Sequence, residues 1–109
     1  MTKKRKYICS VEAAIDVIGG KWKPLILWVL KNGTFRFGEL EDEFPGITQK
    51  VLTRQLRDLE QDGLITRKVY PEIPPRVEYT ITQDGMTVVP ILESLRDWAD
   101  EHLADSIEY

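Results

Sequence analysis

The stretch that most constrains the fold is Thr48–Asp62, with the sequence TQKVLTRQLRDLEQD. Its apolar residues recur at spacings of three and four, which places them on one face of an amphipathic helix. These residues are Val51, Leu52, Leu56 and Leu59. Thr48 lies just before this pattern, where its hydroxyl would satisfy an unpaired backbone amide as an N-cap. The stretch therefore predicts one helix with a defined start.

The opposite face of this helix carries side chains that are long, able to hydrogen-bond and net positive. They are Gln49, Lys50, Thr53, Arg54 and Arg57. Such residue types, together with Thr48 at the start of the helix, contact base edges and phosphates in protein–DNA complexes. Taken alone, the helix is equally compatible with a solvated surface helix that carries ordinary charges.

The residues before Thr48 favour DNA recognition. The segment FGELEDEF (37–44) has apolar residues at helical spacing and predicts a short helix with an acidic outer face. Phe44–Ile47 contains a Pro-Gly pair and predicts a turn, and Thr34–Arg36 predicts a small edge strand. A short helix, a tight turn and a polar-faced helix make a helix-turn-helix. Because an acidic face would repel phosphates, we assign the first helix a supporting role and call Thr48–Asp62 the reading helix.

Two β-rich segments follow Gly63, which should end the reading helix. Leu64–Tyr70 and Arg76–Ile81 are separated by Pro71–Pro75, a turn that cannot continue a strand ladder. A β-hairpin directly after a helix-turn-helix is the wing of a winged helix. The cations near its loop are predicted to contact DNA, or alternatively to protect an edge strand from pairing. These cations are Arg67, Lys68 and Arg76, with Arg76 the best candidate for a minor-groove or flanking-phosphate contact.

Size and charge limit the classes of protein that remain. A chain of 109 residues suits one domain, and 42% hydrophobic with 30% charged residues indicates a globular one. The net charge is −3, so any DNA contact must come from local segregation of cations. The longest apolar run, Pro24–Leu30, is too short for a bilayer. The basic start lacks the apolar segment of a secretory signal. We therefore expect a cytoplasmic protein, associated with the nucleoid when bound to DNA.

Three further helices are predicted around the helix-turn-helix. Val11–Ile18 is a short one, and Lys21–Lys31 has apolar side chains on nearly all sides, which indicates burial within the chain or against a partner. Thr82 caps a long helix over 83–104, which Pro90 should kink. The second helix has a broad apolar stripe of Trp22, Leu25, Ile26, Val29 and Leu30, and Leu27 and Trp28, which lie off the stripe, are also apolar. Beyond Pro90 the apolar stripe is Ile91, Leu92, Leu95, Trp98, Ala99 and Leu103.

Four segments together resemble the HxlR family of bacterial transcription regulators, a branch of the winged-helix regulators related to MarR proteins. They are GGKWKPLILWVL, FRFGEL, PGITQKVLTRQLRDLEQDGLITRKVY and PPRVEYTITQDG. The resemblance runs from Cys9 to about Trp98 and is specific as a combination. It implies a mainly α fold with a small β-hairpin (α+β), a winged helix-turn-helix that dimerises through its N- and C-terminal helices.

The resemblance also implies a homodimer bound to double-stranded operator DNA. The matching interface residues are Ile15, Trp28, Leu92, Leu95, Trp98 and Leu103. We divide the chain into a basic arm (1–8), a domain with a C-terminal dimerisation helix (9–105) and a tail (106–109). The arm, with KKRK at its centre, is either solvated or contacts phosphates. Two-fold symmetry predicts an inverted-repeat operator, with repression by occlusion as the expected outcome and activation as the alternative.

Some members of the family use a cysteine near the N-terminus as a redox or electrophile sensor. Cys9 stands at that place, and the preceding cations would favour its thiolate. It is the only cysteine, so an oxidised Cys9 would pair with another chain or with a small thiol. The alternative is a structural or silent cysteine.

Other functional classes find less support. The chain has one histidine, His102, which we interpret as a solvated surface residue, and no nucleophile-base arrangement, phosphate loop or metal cluster. Asp58, Glu60 and Asp62 should mostly face solvent. We therefore expect no enzyme, cofactor or metal. Two alternatives remain: a winged-helix module that binds protein, and a regulator that binds a small molecule or oxidant in a pocket near Trp22, Trp28 and Trp98, at the dimer interface.

Overall fold

Helices and strands form where the sequence patterns predict them, except near the C-terminus. The computed structural model describes residues 6–108, and Lys3, Lys4 and Arg5 of the predicted arm lie outside the described residues, as does Tyr109. In chain order the elements are α1 (Ser10–Ile18), α2 (Trp22–Leu30), β1 (Phe35–Arg36), α3 (Phe37–Glu43), α4 (Gln49–Gln61), β2 (Ile65–Tyr70), β3 (Arg76–Ile81), α5 (Gln83–Met86), α6 (Val89–His102) and a 3-10 turn at Ala104–Ser106.

The reading helix forms as α4, with both predicted ends confirmed. The Thr48 hydroxyl accepts a hydrogen bond from the Val51 N–H at 3.1 Å. Asp62 is the C-cap, and Gly63 follows with φ +78°, a left-handed conformation that glycine adopts without a steric penalty. The three leucines of the apolar face are each at most 1% exposed, so α4 is anchored along its whole length. These leucines are Leu52, Leu56 and Leu59.

The predicted hairpin is part of a three-stranded antiparallel sheet. β2 and β3 pair from Ile65 opposite Ile81 to Tyr70 opposite Arg76. β1 pairs with the other edge of β3, with Phe35 opposite Tyr79, giving the strand order β1-β3-β2. The small edge strand predicted at Thr34–Arg36 thus exists, and it ties the start of α3 to the wing. The architecture is the predicted α+β winged helix.

The core lies between α2, α4 and the sheet, and α2 is buried on most but not all of its sides. Ile26, Leu27 and Leu30 are completely buried, whereas Leu25 is 43% exposed. The predicted burial on nearly all sides is therefore confirmed for these three residues, whereas Leu25 is not covered within the chain. A helix with apolar side chains on nearly all sides contains no periodicity that identifies its inner face. Packing against α4, α6 and β3 decides it.

The single long helix predicted over 83–104, with a kink at Pro90, is also wrong. Thr82 does cap a helix, accepting from the Gly85 N–H at 3.0 Å, but that helix, α5, ends at Met86. Pro90 lies in the first turn of a separate helix, α6, where its missing N–H leaves no intrahelical bond unmade. Gly85 fits against the hairpin because a Cβ there would lie 2.2 Å from the Leu64 carbonyl oxygen. The short α5 is thereby fixed to the base of the wing.

Candidate nucleic-acid interface

The solvent-facing side of α4 brings together the five polar residues that the sequence singled out. All five are exposed and line one shallow depression of about 380 Å³. Its lining is Gln49, Lys50, Thr53, Arg54 and Arg57. None of the three cations belongs to an ion pair formed between residues 6–108. Their charges therefore remain available to an external anion.

Thr48 has a structural task in addition to any contact with a ligand. Its side-chain oxygen accepts the Val51 N–H, which uses one acceptor position of the hydroxyl. The hydroxyl proton is still able to donate, since a hydroxyl has one donor and two acceptor positions. Thr48 is exposed at the N-terminal end of α4, next to Gln49 and Lys50.

A groove of about 570 Å³ separates α4 from the sheet. Arg67 is directly opposite the buried Tyr79 across β2 and β3, and paired residues share one face of a sheet. Arg67 therefore faces α4, and it lines the groove together with Arg57. The remaining lining residues are Phe37, Gln49, Thr53, Glu60, Val77 and Tyr79. Two exposed arginines from different elements thus border one groove, which continues the cationic face of α4.

The other two wing cations lie on the opposite face of the sheet. Lys68 pairs with Glu78 and Arg76 with Tyr70, one residue out of phase with Arg67, and side chains alternate between faces along a strand. The structure therefore divides the three cations that the sequence grouped around the loop. Lys68 Nζ lies 4.9 Å from the centre of the Tyr70 ring.

Arg76 is held by groups of its own chain. Its guanidinium lies over the Tyr70 ring at 3.8 Å, and its side chain is 27% exposed. An Nη atom is 3.2 Å from Glu72, and Nε is 3.5 Å from Glu78 in an ion pair that lacks hydrogen-bond geometry. Two carboxylates neutralise the residue that the sequence favoured as the minor-groove contact. The tip of the wing instead presents Ile73, which is fully exposed.

A second surface of the chain is apolar. On α6 the outward residues Ile91, Leu95 and Trp98 are 52%, 57% and 54% exposed, and Leu103 just beyond the helix is 46% exposed. Ile15 on α1 is 62% exposed. Leu92 differs from the other predicted interface residues because it is buried in the chain's own core. We call Ile15, Ile91, Leu95, Trp98 and Leu103 the apolar surface.

Trp28 lies beside this surface, in a groove of about 310 Å³ between α2 and α6. The groove is lined by Pro24, Leu25, Trp28, Leu92, Leu95 and Arg96. Lys31 Nζ is 4.2 Å from the Trp28 ring centre. Of the three tryptophans that the small-molecule alternative names, Trp28 lines this groove, Trp22 packs edge-on against Phe44, and Trp98 stacks on His102.

Cys9 is the N-cap of α1, which sequence reasoning missed because it began this helix at Val11. The thiol is exposed, and its sulfur accepts the Glu12 N–H at 3.5 Å. The side chains that commonly cap helices are those of Ser, Thr, Asp and Asn. A cysteine at this position therefore did not indicate a cap. The sulfur therefore lies at the positive end of the nine-residue helix.

An ion pair between a buried lysine and a half-exposed aspartate also escaped sequence reasoning. Lys23 on α2 lies with its Nζ 3.5 Å from Asp58 Oδ2 on α4. The prediction that Asp58 mostly faces solvent is wrong, since its side chain is 36% exposed and engaged with Lys23. The sequence did contain a signal for this pair. Lys23 lies in the first turn of an otherwise apolar helix, and a lysine there requires a charged partner if that turn is buried.

Metal and membrane sites find no support in the part of the chain that the structure describes. No group of three or more His, Cys, Asp or Glu side chains there is arranged to hold a metal ion. None of the helices between residues 6 and 108 has the length and apolar character needed to cross a bilayer.

Comparisons with known proteins agree with this geometry. A family model described as HxlR-like helix-turn-helix matches residues 17–107. An uncharacterized HTH-type transcriptional regulator of Methanothermobacter thermautotrophicus is 57% identical over 93 residues, covering 85% of this chain and 71% of the relative.

Two solved structures are similar over most of their length. The crystal structure of the HTH-type transcriptional regulator ytcD has a TM-score of 0.85 at 47% identity and covers 89% of this chain and 99% of that one. The redox regulator HypR in its oxidized form has a TM-score of 0.81 at 45% identity, with 86% and 97% covered. Since the relatives are transcriptional regulators, the prediction that this chain is not an enzyme is confirmed. The chain belongs to the HxlR-like helix-turn-helix family of transcriptional regulators.

Proposed function

We propose that the protein binds an inverted-repeat DNA operator as a homodimer in the cytoplasm and represses transcription by occluding the site. The observation that carries this proposal is the cationic face of α4, which continues across the groove to Arg67 without a neutralising ion pair among the described residues. In a chain of net charge −3, such a concentration of unpaired cations favours an anionic partner.

In the proposed complex α4 occupies the major groove, which is wide enough for a helix. Gln49, Lys50 and Arg54 contact base edges, and Thr53 contacts bases or nearby phosphates. Arg57 and Arg67 line the same groove and bind the phosphate backbone from two sides. Arg76 has a smaller part than the sequence indicated, because Glu72 and Glu78 already compensate its charge.

The proposed dimer forms through the apolar surface. Large exposed apolar side chains mark contact sites in soluble proteins, and both α1 and α6 carry such side chains. A two-fold axis would place the same surface of both copies in contact. The two reading helices then address half-sites about one helical turn apart, roughly 34 Å, or a multiple of it.

Selection of binding sites from random duplex DNA tests the proposal. We expect an inverted repeat whose affinity falls steeply as salt is raised, because each neutralised phosphate releases counterions. Arg54→Glu should remove binding, whereas Lys21→Glu, an exposed change at the start of α2, should have little effect. Retained affinity in the Arg54→Glu protein would contradict the proposal and favour a protein-binding module.

A second function, sensing of oxidants by Cys9, is favoured by the exposed thiol at the N-cap of α1. The related structures include HypR, named a redox regulator, in oxidized and reduced forms. Two Cys9 thiols from different chains would give two electrons to hydrogen peroxide, forming one disulfide and two waters. Peroxide should change operator affinity in the wild type and leave Cys9→Ser unchanged; an equal response of both proteins would eliminate this function.

A further inference from the structure

Lys23 is the one charged side chain in the buried core of the described chain, at 8% exposure. Its partner Asp58 sits on α4 among the residues of the reading helix, with Nζ and Oδ2 3.5 Å apart. Arg57 precedes Asp58 directly, and Arg54 lies one turn earlier on the exposed face. The pair therefore joins the inside of α2 to the helix that carries the proposed base contacts.

The burial of Lys23 makes this ion pair a poor source of net stability. Removing the lysine charge from water costs much of what its attraction to the half-exposed Asp58 returns, and replacement of such charges by apolar residues of similar size is often neutral or stabilising. Buried polar pairs do, however, fix the register of packed helices, which is their best-attested role. The presence of this pair at the α2–α4 contact therefore indicates a requirement for geometry.

The apolar contacts anchor α4 against α2 but contain no directional interaction between the two helices. Similar leucine and isoleucine side chains face one another along the contact, and their attraction is non-directional. They are Ile26, Leu27, Leu30, Leu52, Leu56 and Leu59. A shift of α4 by one helical turn moves it about 5.4 Å, which exceeds the rise of one base pair, about 3.4 Å. Even a fraction of such a shift would misalign the reading side chains.

We propose that Lys23 and Asp58 are positioning residues that set the placement of α4 against α2, and thereby the spacing between the two reading helices of the dimer. α2 also packs against α6 and contributes Leu25 and Trp28 to the groove beside the apolar surface. One path from one reading helix to the other, through α2 and α6, thus crosses the Lys23–Asp58 contact in each copy. This inference rests on the proposed operator-binding dimer.

The test replaces both charges, Lys23→Met with Asp58→Leu, so that no unpaired charge is left in the core. Thermal unfolding should occur at the wild-type temperature or above it. Wild-type affinity should fall about tenfold, the size of effect of one mismatched base pair, when one base pair is inserted between the half-sites. The double variant should lose this preference for spacing and bind the best operator less tightly.

Two further variants separate positioning from loss of charge. Lys23→Arg keeps a cation within reach of Asp58 and should retain the spacing preference. Lys21→Met removes one positive charge from an exposed position next to the same helix and should behave as the wild type. A double variant with the affinity and spacing preference of the wild type would overturn the inference, and so would equal loss in Lys21→Met.

A distance measurement tests the inference without DNA. Spin labels at Asn32→Cys and Glu60→Cys, both exposed, in a Cys9→Ser background diluted with unlabelled protein, report the placement of α4 relative to α2. The distance distribution should be narrow with the pair intact and shifted or broadened in the double variant. An unchanged distribution would refute the positioning role, even if the wild type selected no operator, a result that by itself would refute only the proposed function.

Discussion

The helices α4 and α6 have almost the same length, 13 and 14 residues, yet they are used in opposite ways. Each carries an apolar stripe at helical spacing. The leucines of α4 are completely enclosed by the chain, and its outer face is polar and cationic. On α6 only Val89 and Leu92 are buried, while Leu95 and Trp98 face solvent.

The difference shows which requirements the single chain leaves unmet. On α4 the positive charges lack partners, since Lys50, Arg54 and Arg57 have no carboxylate partner among the described residues. On α6 the apolar side chains lack cover, because roughly half of each outward side chain contacts water. An anion would compensate the cations of α4, and a second apolar surface would cover the exposed side chains of α6. We therefore assign DNA to α4 and a second copy of the chain to α6.

The largest expected effect comes from placing a charge in the apolar surface of α6. Leu95→Asp places a charge at the centre of the apolar surface, where it would lack a partner in the dimer. We expect operator affinity to fall by roughly 100-fold or more, since each single chain retains only half of the base contacts. Gln83→Asp adds the same charge at an exposed position on α5, outside the apolar surface, and should bind nearly as the wild type does. Wild-type affinity in Leu95→Asp would show that this surface has no part in operator binding.

A matched pair of leucine substitutions sharpens the comparison further. Leu56→Ala should lower the free energy of unfolding by about 2–5 kcal/mol at any protein concentration, because a cavity is left in the core of each chain. Leu95→Ala should instead weaken the dimer. Its effect on the free energy of unfolding should therefore grow with protein concentration, because association stabilises the wild type more at higher concentration. Urea unfolding at several concentrations measures both. Equal, concentration-independent losses would mean that Leu95 contributes to the core of one chain.

Two arginines of the wing give the smallest effect. Arg67→Ala should reduce operator affinity and lower the slope of log affinity against log salt by about 0.9 per chain, since one phosphate contact is lost. Arg76→Ala should change the slope less, because Glu72 and Glu78 already compensate the guanidinium. Titrations between low and moderate salt supply both slopes. A larger change of slope for Arg76→Ala than for Arg67→Ala would show that the face of the sheet with Arg76, and not the face with Arg67, contacts the phosphates.

Local patterns made much of this molecule predictable. The spacing of Leu52, Leu56 and Leu59, the cap at Thr48 and the stop at Gly63 lie within sixteen residues, so the sequence alone determines α4. The strand pattern of the hairpin is equally local, and β3 begins and ends where predicted. Each of these signals comes from neighbours in the chain, and their physical basis is backbone hydrogen bonding and side-chain periodicity.

The features that escaped prediction depend on residues far apart in sequence. The Lys23–Asp58 pair spans 35 residues, and its existence follows from how α2 packs on α4. The division of Arg67 from Arg76 requires the register of β2 against β3. The break between α5 and α6 was misjudged for a different reason, since Pro90 is compatible both with a kink and with a first turn.

A dimer bound to DNA would pair the cations of α4 with phosphates and cover the apolar surface at the same time. Sedimentation equilibrium of the protein alone and bound to its selected operator tests this most directly. The account predicts a mass of twice 12.6 kDa without DNA and two chains on each duplex. A wild-type protein of 12.6 kDa at micromolar concentration, binding its operator as one chain, would contradict it.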